Sequence, residues 1–258
     1  MNGTATQPSS AKTRDPFSLA LLWSWFVVDP LFILSTIVCG CVSFVAMMFD
    51  RSGTTALRIG RVWSRSLLWF AGAKVTVAGL EKIDPNKNYV FCPNHLSYMD
   101  TPVILTHIRL PFRFLAKEEL FRIPFMGTHL KQAGHVPVPL EDPRGALKTL
   151  ARAAGMVQEK SLSLLVFPEG GRSESGALQE FKDGAAYLAI KAQVPVVPMA
   201  LIGTREVLPM NSQVFHRGPV LLRIGEPIPT AGLTIRDRET ITRAIRTQIE
   251  EMLTKGAD

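Results

Sequence analysis

Residues 16–49 carry a single charge, Asp29. So much apolar surface has to be buried, in protein or in lipid. Asp29 precedes Pro30, and proline removes a helix donor and clashes with the turn before it. The pair is expected to divide the run into 17–28 and 31–49. The second piece is just long enough to span a bilayer, and the first is too short to do so upright. Both a single spanning helix and a hairpin dipping into one leaflet fit this pattern. A cleaved signal peptide fits less well, because the run is long and lacks a clear small-residue cleavage site. Residues 1–15, polar and rich in Thr, Ser, Gln and Pro, are expected to be disordered.

Residues 55–70 read as a helix bearing Arg58, Arg61 and Arg65 at helical spacing, with Val62, Trp63 and Leu67 on other parts of its surface. Such a helix lies among anionic headgroups or packs on a domain with a solvated basic face. The first 70 residues thus divide into a polar start (1–15) and a membrane-anchoring part (16–70). The formal net charge of +7 points to anionic partners: a membrane surface, a phosphorylated substrate or nucleic acid. Nucleic acid is disfavoured, since the chain has no zinc-finger spacing, RNA-binding aromatic signature or basic heptad region. The basic flank after the apolar run places the rest of the chain on the cytoplasmic face of a membrane. The three cysteines form no disulfide framework, and the histidines show no metal-ligand spacing, so no metal site is expected.

From residue 71 to 258 apolar runs alternate with helical patterns, the mark of a single α/β domain. Strands are expected at 74–77, 89–91, 112–116, 135–138, 162–167, 194–201 and 220–224. Helices are expected at 99–107, 124–132, 144–159, 181–192 and 236–253. The last carries Ile241, Ile245, Ile249 and Leu253 at a four-residue step, an apolar stripe for docking on a sheet.

Two segments carry chemistry. Asn94-His95 lies just after the apolar run at 89–91, with Asp100 five residues past the histidine. On a continuous helix five residues rotate two side chains about 140° apart. His95 is therefore expected in the strand-to-helix turn, with Asp100 in the first helical turn reaching back to fix its tautomer. A dipole-favoured helix-start carboxylate beside an incidental histidine is the plainer alternative. The second segment, Phe167-Pro168-Glu169-Gly170-Gly171-Arg172-Ser173, ends a buried run in a charged glycine turn. Backbone N–H groups point outward at such turns, and Arg172 adds a fork suited to phosphate. A third run, Val194-Pro195-Val196-Val197-Pro198, reads alone as core.

In this order and spacing the segments resemble the glycerolipid acyltransferase family, and within it most closely the 1-acyl-glycerol-3-phosphate (lysophosphatidic acid) acyltransferases. The family's Asn-His-x4-Asp block matches Asn94, His95 and Asp100. Its Phe-Pro-Glu-Gly-Thr-Arg-Ser block matches 167–173 with Gly171 in place of threonine, and its Pro-Val-Val-Pro strand matches 194–198. A second block is partial: Lys117, Glu119, Leu120, Pro124, Gly127 and Gly134 match. Pro139-Leu140 stands where the family often has Asp-Arg, with Arg144 four residues on. The resemblance covers about residues 75–229 and implies a mixed central sheet flanked by helices.

It also implies acyl transfer from acyl-CoA or acyl-carrier protein to a lysophosphatidate held in membrane lipid, with no cofactor. His95 would serve as general base oriented by Asp100, with no acyl-enzyme. Arg172 and then Lys117 would bind the acceptor phosphate, and Arg144 would replace the missing block-two arginine. Asn94, Glu169 and Gly170 would complete the substrate-binding set, Glu169 by bonding to the acceptor hydroxyl or to Arg172. Other acceptors belong to the same class: lyso-ornithine lipid, another lysophospholipid or glycerol 3-phosphate. A non-enzymatic lipid-binding protein would account for the apolar start and the charge, but gives His95, Asp100, Glu169 and Arg172 no task. A serine hydrolase is disfavoured by the absence of a Gly-x-Ser-x-Gly elbow.

Overall fold

The computed structural model describes residues 19–50 and 52–255, so the expectation for residues 1–15 lies outside the described residues. The seven anticipated strands are β1 Ala73–Ala78, β2 Val90–Pro93, β3 Phe112–Lys117, β4 Val136–Val138, β5 Ser163–Leu165, β6 Val196–Ile202 and β7 Gly218–Ile224. They form one sheet in the order β1-β7-β6-β2-β5-β3-β4. β2 pairs in parallel with both β5 and β6, and β3 lies parallel between β5 and β4. β7 runs antiparallel to β6, and β1 runs parallel to β7, which makes the sheet mixed. The carboxyl ends of β2 to β6 therefore share one edge, where α/β sheets hold ligands.

The helices are α1 Leu19–Trp23, α2 Asp29–Phe49, α3 Thr54–Ala71, α4 Asp100–His107 and α5 Met126–Gln132. Then follow α6 Pro143–Lys160, α7 Gly184–Ala192, the single-turn α8 Thr204–Val207 and α9 Arg238–Thr254. Side chains around β2 alternate between two cores, as strand geometry requires: Tyr89 and Phe91 join one, Val90 and Cys92 the other. The first core is closed by α3 and α4 through Leu57, Leu68, Val103 and Ile104. The second is closed by α6, α7 and α9. Ile241, Ile245 and Ile249 of α9 are buried in it, each contributing about 1.5–3 kcal/mol by area.

The N-terminal run departs from expectation. Asp29-Pro30 does not divide it: α1 passes through one π turn, Ser24–Val28, into α2, giving one apolar helix Leu19–Phe49. The π turn solves the proline problem. The Asp29 N–H bonds the Ser24 carbonyl five residues back, and the widened turn makes room for the ring that would clash in an α ladder.

This helix, long and apolar enough to cross a membrane, is docked near both ends on the domain. The Phe215 N–H donates to Ser24 Oγ at 2.8 Å, and Val28 joins the first core. Farther along, Ser43 Oγ lies 3.3 Å from His129 Nδ1, and Met47 is buried with Ala56 and Ala133. Ser24 and Met47 are about 35 Å apart along the axis. The helix thus runs along the domain and turns Ile33, Ile37, Val38, Val42, Val45 and Phe49 outward.

The three arginines of α3 also divide. Arg58 and Arg65 are exposed. Arg61 instead donates to the carbonyls of Ile108, Arg109 and Leu110 at 2.8–2.9 Å. Those carbonyls follow the C-terminus of α4, where free acceptors and the helix dipole favour a cation.

Candidate active site

β2 ends at Pro93, and the next two residues begin the site. Asn94 is fully buried, and its amide exchanges two bonds with the Leu201 main chain, at 2.7 and 3.1 Å. It staples the His95 turn to β6 rather than presenting itself to a ligand. Asp100 opens α4 and is fully buried. Its Oδ2 accepts from the N–H groups of Leu96 and Ser97 at 2.7 and 2.9 Å and lies 2.8 Å from His95 Nδ1. Its Oδ1 has no partner among the described residues. A carboxylate only accepts, so Nδ1 carries the ring proton and Nε2 keeps a free lone pair. The imidazole also stacks on Phe167, with centroids 3.7 Å apart and planes 16° apart. The ring is therefore fixed in plane, tautomer and direction, and its side chain stays 18% exposed.

Phe167 belongs to the turn after β5, the strand beside β2. Two residues on, Glu169 Oε1 accepts the His95 N–H at 2.6 Å and Oε2 accepts the Gln179 N–H at 2.9 Å. Both oxygens thus accept from main chain, a role the sequence did not suggest, and Glu169 makes no bond to Arg172 among the described residues. Burial pushes the Glu169 carboxyl up, opposed by those two bonds. The turn closes back through the Ser173 N–H, which donates to the His95 carbonyl at 2.9 Å. Gly170 has φ +74°, and an added Cβ there would meet Lys182 Nζ at 3.0 Å, so this ammonium lies over the turn.

Arg172 places its guanidinium 3.5 Å from the ring centroid of Tyr98. A cation over an aromatic face is held without losing its hydrogen-bonding fork. The Asn94–Asp100 and Phe167–Ser173 segments therefore meet twice, once at His95 and once at Arg172. Lys117 ends β3 at the same sheet edge. Its Nζ is 3.8 Å from Glu119 and 4.0 Å from Glu141, loose exposed pairs that cost little to exchange for another anion. Arg144 is exposed in the first turn of α6, beyond β4 at the sheet margin, and is not joined to the His95 cluster. Among the described residues no group of three His, Cys, Asp or Glu side chains is placed to hold a metal.

Sequence reasoning missed the residues that hold the Phe167–Ser173 segment and the residues after it in shape. Gln179 accepts from Arg246 Nη1 at its carbonyl and donates its side-chain amide to the Gly171 carbonyl at 3.1 Å. Arg205, just past β6, donates to the carbonyls of Glu174 and Ser175 at 2.6 and 2.8 Å. Tyr98 and Lys182 were also passed over. Only Tyr98 left a trace in sequence, as an aromatic beside the histidine block.

A buried carboxylate orienting a histidine at the end of a central strand, with an arginine nearby, is an arrangement capable of general-base chemistry. The Acyltransferase family model matches residues 74–202, and the chain belongs to this family.

Among its relatives, the 1-acyl-sn-glycerol-3-phosphate acyltransferase of Cocos nucifera is 33% identical over 66% of this chain and 55% of its own. That of Borreliella burgdorferi is 32% identical over 72% of this chain and 74% of its own. The chain spans about half the length of the first plant relatives, 49% for one from Brassica napus. Among solved structures, the 1-acyl-sn-glycerophosphate acyltransferase PlsC from Thermotoga maritima superposes with a TM-score of 0.70 at 27% identity. That match covers 93% of this chain and 97% of the PlsC chain.

Proposed function

We propose that this chain transfers an acyl group from an acyl thioester to the sn-2 hydroxyl of 1-acyl-glycerol 3-phosphate, forming phosphatidate. The observation that carries the reading is the buried Asp100 beneath His95 Nδ1, which leaves Nε2 as a base. Nε2 takes the hydroxyl proton as the alcohol oxygen attacks the thioester carbonyl. Asp100 stabilises the imidazolium that forms, and main-chain N–H groups of the glycine turn are suited to receive the developing oxyanion. The C–S bond then breaks, and the departing thiolate takes the proton back from Nε2. Arg172, with Lys117 and Lys182 near the same edge, receives the acceptor phosphate. The donor is acyl-CoA or acyl-carrier protein, and the two substrates supply all the atoms the reaction needs.

The outward face of α2 rests in the lipid that holds the acceptor, with the catalytic domain on the cytoplasmic side. A lipid-borne acceptor met in the plane of the leaflet is at high effective concentration. The test offers the purified protein in lipid an acyl thioester with lysophosphatidate, lyso-ornithine lipid, another lysophospholipid or glycerol 3-phosphate, and products are read by mass spectrometry. Phosphatidate as the dominant product supports the reading. Release of thiol only with an acceptor lacking a phosphomonoester contradicts it.

A further inference from the structure

The turn between Lys117 and α5 holds a backbone conformation that needs a reason. Phe125 has φ 61° and ψ −56°, and the Met126 N–H donates to the Pro124 carbonyl at 2.7 Å. This is a γ-turn of the rare, strained hand, with a bulky aromatic at its apex. Strain of this kind persists only where surrounding structure imposes it and tends to mark function. Gly127 is one such constraint, because a Cβ there would run into the Phe121 carbonyl. The strained turn does not bury its aromatic. Phe125 is 85% exposed, and Leu120, Ile123 and Met126 beside it are exposed too.

The place of the turn identifies what covers it. His129 of α5 meets Ser43 of α2, and Ala133, just past α5, is buried in one cluster with Met47 and Ala56. These contacts, four residues apart on each helix, run α5 alongside α2 in the same direction. Phe125 stands one turn before His129, and α2 exposes Val38 and Val42 in the turn before Ser43. The apolar turn thus begins the helix that packs on the apolar N-terminal helix, and it follows Lys117 closely in the chain. Its main chain also suits a medium without water. The N–H groups of Met126 and Gly127 and the Phe125 carbonyl are bonded within the turn and α5, which lowers the cost of burial in lipid. Exposed Arg122 and Lys131 flank it, long cationic side chains able to reach headgroups.

We infer that the strained turn at 123–126 is a second lipid-inserting element, with Phe125 as its wedge, beside the N-terminal helix and next to the acceptor site. The occupant is the bilayer surface. The inference deepens the reading of a lipid-borne acceptor, but its first readout needs no turnover.

The full chain, with Cys39→Ser and Cys41→Ser, receives a bimane label at Phe125→Cys, and in separate samples at Phe49→Cys or Leu147→Cys. Cys92 is fully buried and escapes labelling. Each sample is bound to phosphatidylcholine–phosphatidylglycerol vesicles with brominated acyl chains. The expected result is at least twofold quenching at Phe125→Cys and Phe49→Cys, and little at Leu147→Cys on α6. Quenching at Phe125→Cys no greater than at Leu147→Cys overturns the inference, whatever Phe49→Cys does. So does a label shielded without lipid in a concentration-dependent way, which would mark contact with a second copy of the chain.

The unlabelled Phe125→Gly variant relieves the strain, so its melting temperature is not lowered. Its binding to vesicles falls several-fold, and its turnover of a short-chain, monomeric acceptor stays within twofold. An equal loss on the monomeric acceptor would assign Phe125 to the substrate pocket and overturn the wedge.

Discussion

The carboxylate of Glu169 accepts the backbone N–H of His95 at 2.6 Å, so the glycine turn after β5 fixes the main chain of the histidine turn after β2. With Ser173 returning a bond to the His95 carbonyl, both main-chain groups of His95 are held by the same loop. The side chain is held separately, by Asp100 and by the stack on Phe167. A base whose main chain and ring are both immobilised needs little reorganisation when substrate arrives.

Glu169 makes this arrangement sensitive to pH. Burial raises its carboxyl above the ordinary 4.5, so between that value and the raised one the folded state binds more protons than the unfolded. Stability contributed at this site is therefore present below about pH 4.5 and declines as pH rises through the window. Glu169→Gln removes the titration, but turns an amide NH2 toward a main-chain N–H and loses about 1–3 kcal/mol. Melting temperatures of both proteins, measured across pH, should show the variant's deficit shrinking as pH rises through the window. A constant deficit would contradict the assignment.

Arg172 is expected to act on acceptor binding. Arg172→Ala should raise the acceptor KM tenfold or more, with kcat within about threefold. Tyr98→Leu keeps the charge but removes its platform, a loss of about 0.5–1 kcal/mol, so KM should rise about two- to fivefold. An effect confined to kcat would remove Arg172 from the phosphate site.

Arg205 touches no reacting group, and its effect should pass through the Glu174 and Ser175 carbonyls it holds. Arg205→Ala should raise acceptor KM about three- to tenfold, and Arg205→Lys, which keeps one donor, should recover part of that. An unchanged KM with a lowered melting temperature would make Arg205 a purely structural tie.

Much of the sheet could be read from sequence because short continuous apolar runs between polar turns suit strands buried on both faces. The residue pair His95 and Asp100 was legible because five residues are wrong for one helix face and right for a turn followed by a helix. Pro30 misled because its local cost is real, and a single π turn absorbs it without leaving a mark on the sequence. Arg61 was read by helical spacing alone, whereas its partners at 108–110 arrive only through the packing of α3 on α4. Glu169, Gln179 and Arg205 bond main-chain groups, and a side chain that serves the backbone of a distant loop has no periodic signature. The mixed sheet was implied by the family resemblance, but that β7 is the strand set antiparallel to β6 escaped, since strand order is set by packing across the whole sheet.

The central claim is that Asp100 orients His95 for proton transfer from the acceptor, and Asp100→Asn tests it most directly. The asparagine oxygen can still accept from Leu96 and Ser97, so the turn is kept, but its neutral amide neither fixes the tautomer nor stabilises an imidazolium. Steady-state kinetics with lysophosphatidate and an acyl thioester, in protein that melts within a few degrees of wild type, should show kcat reduced about 10²–10⁴-fold with acceptor KM within about threefold. A kcat within threefold of wild type would contradict the account.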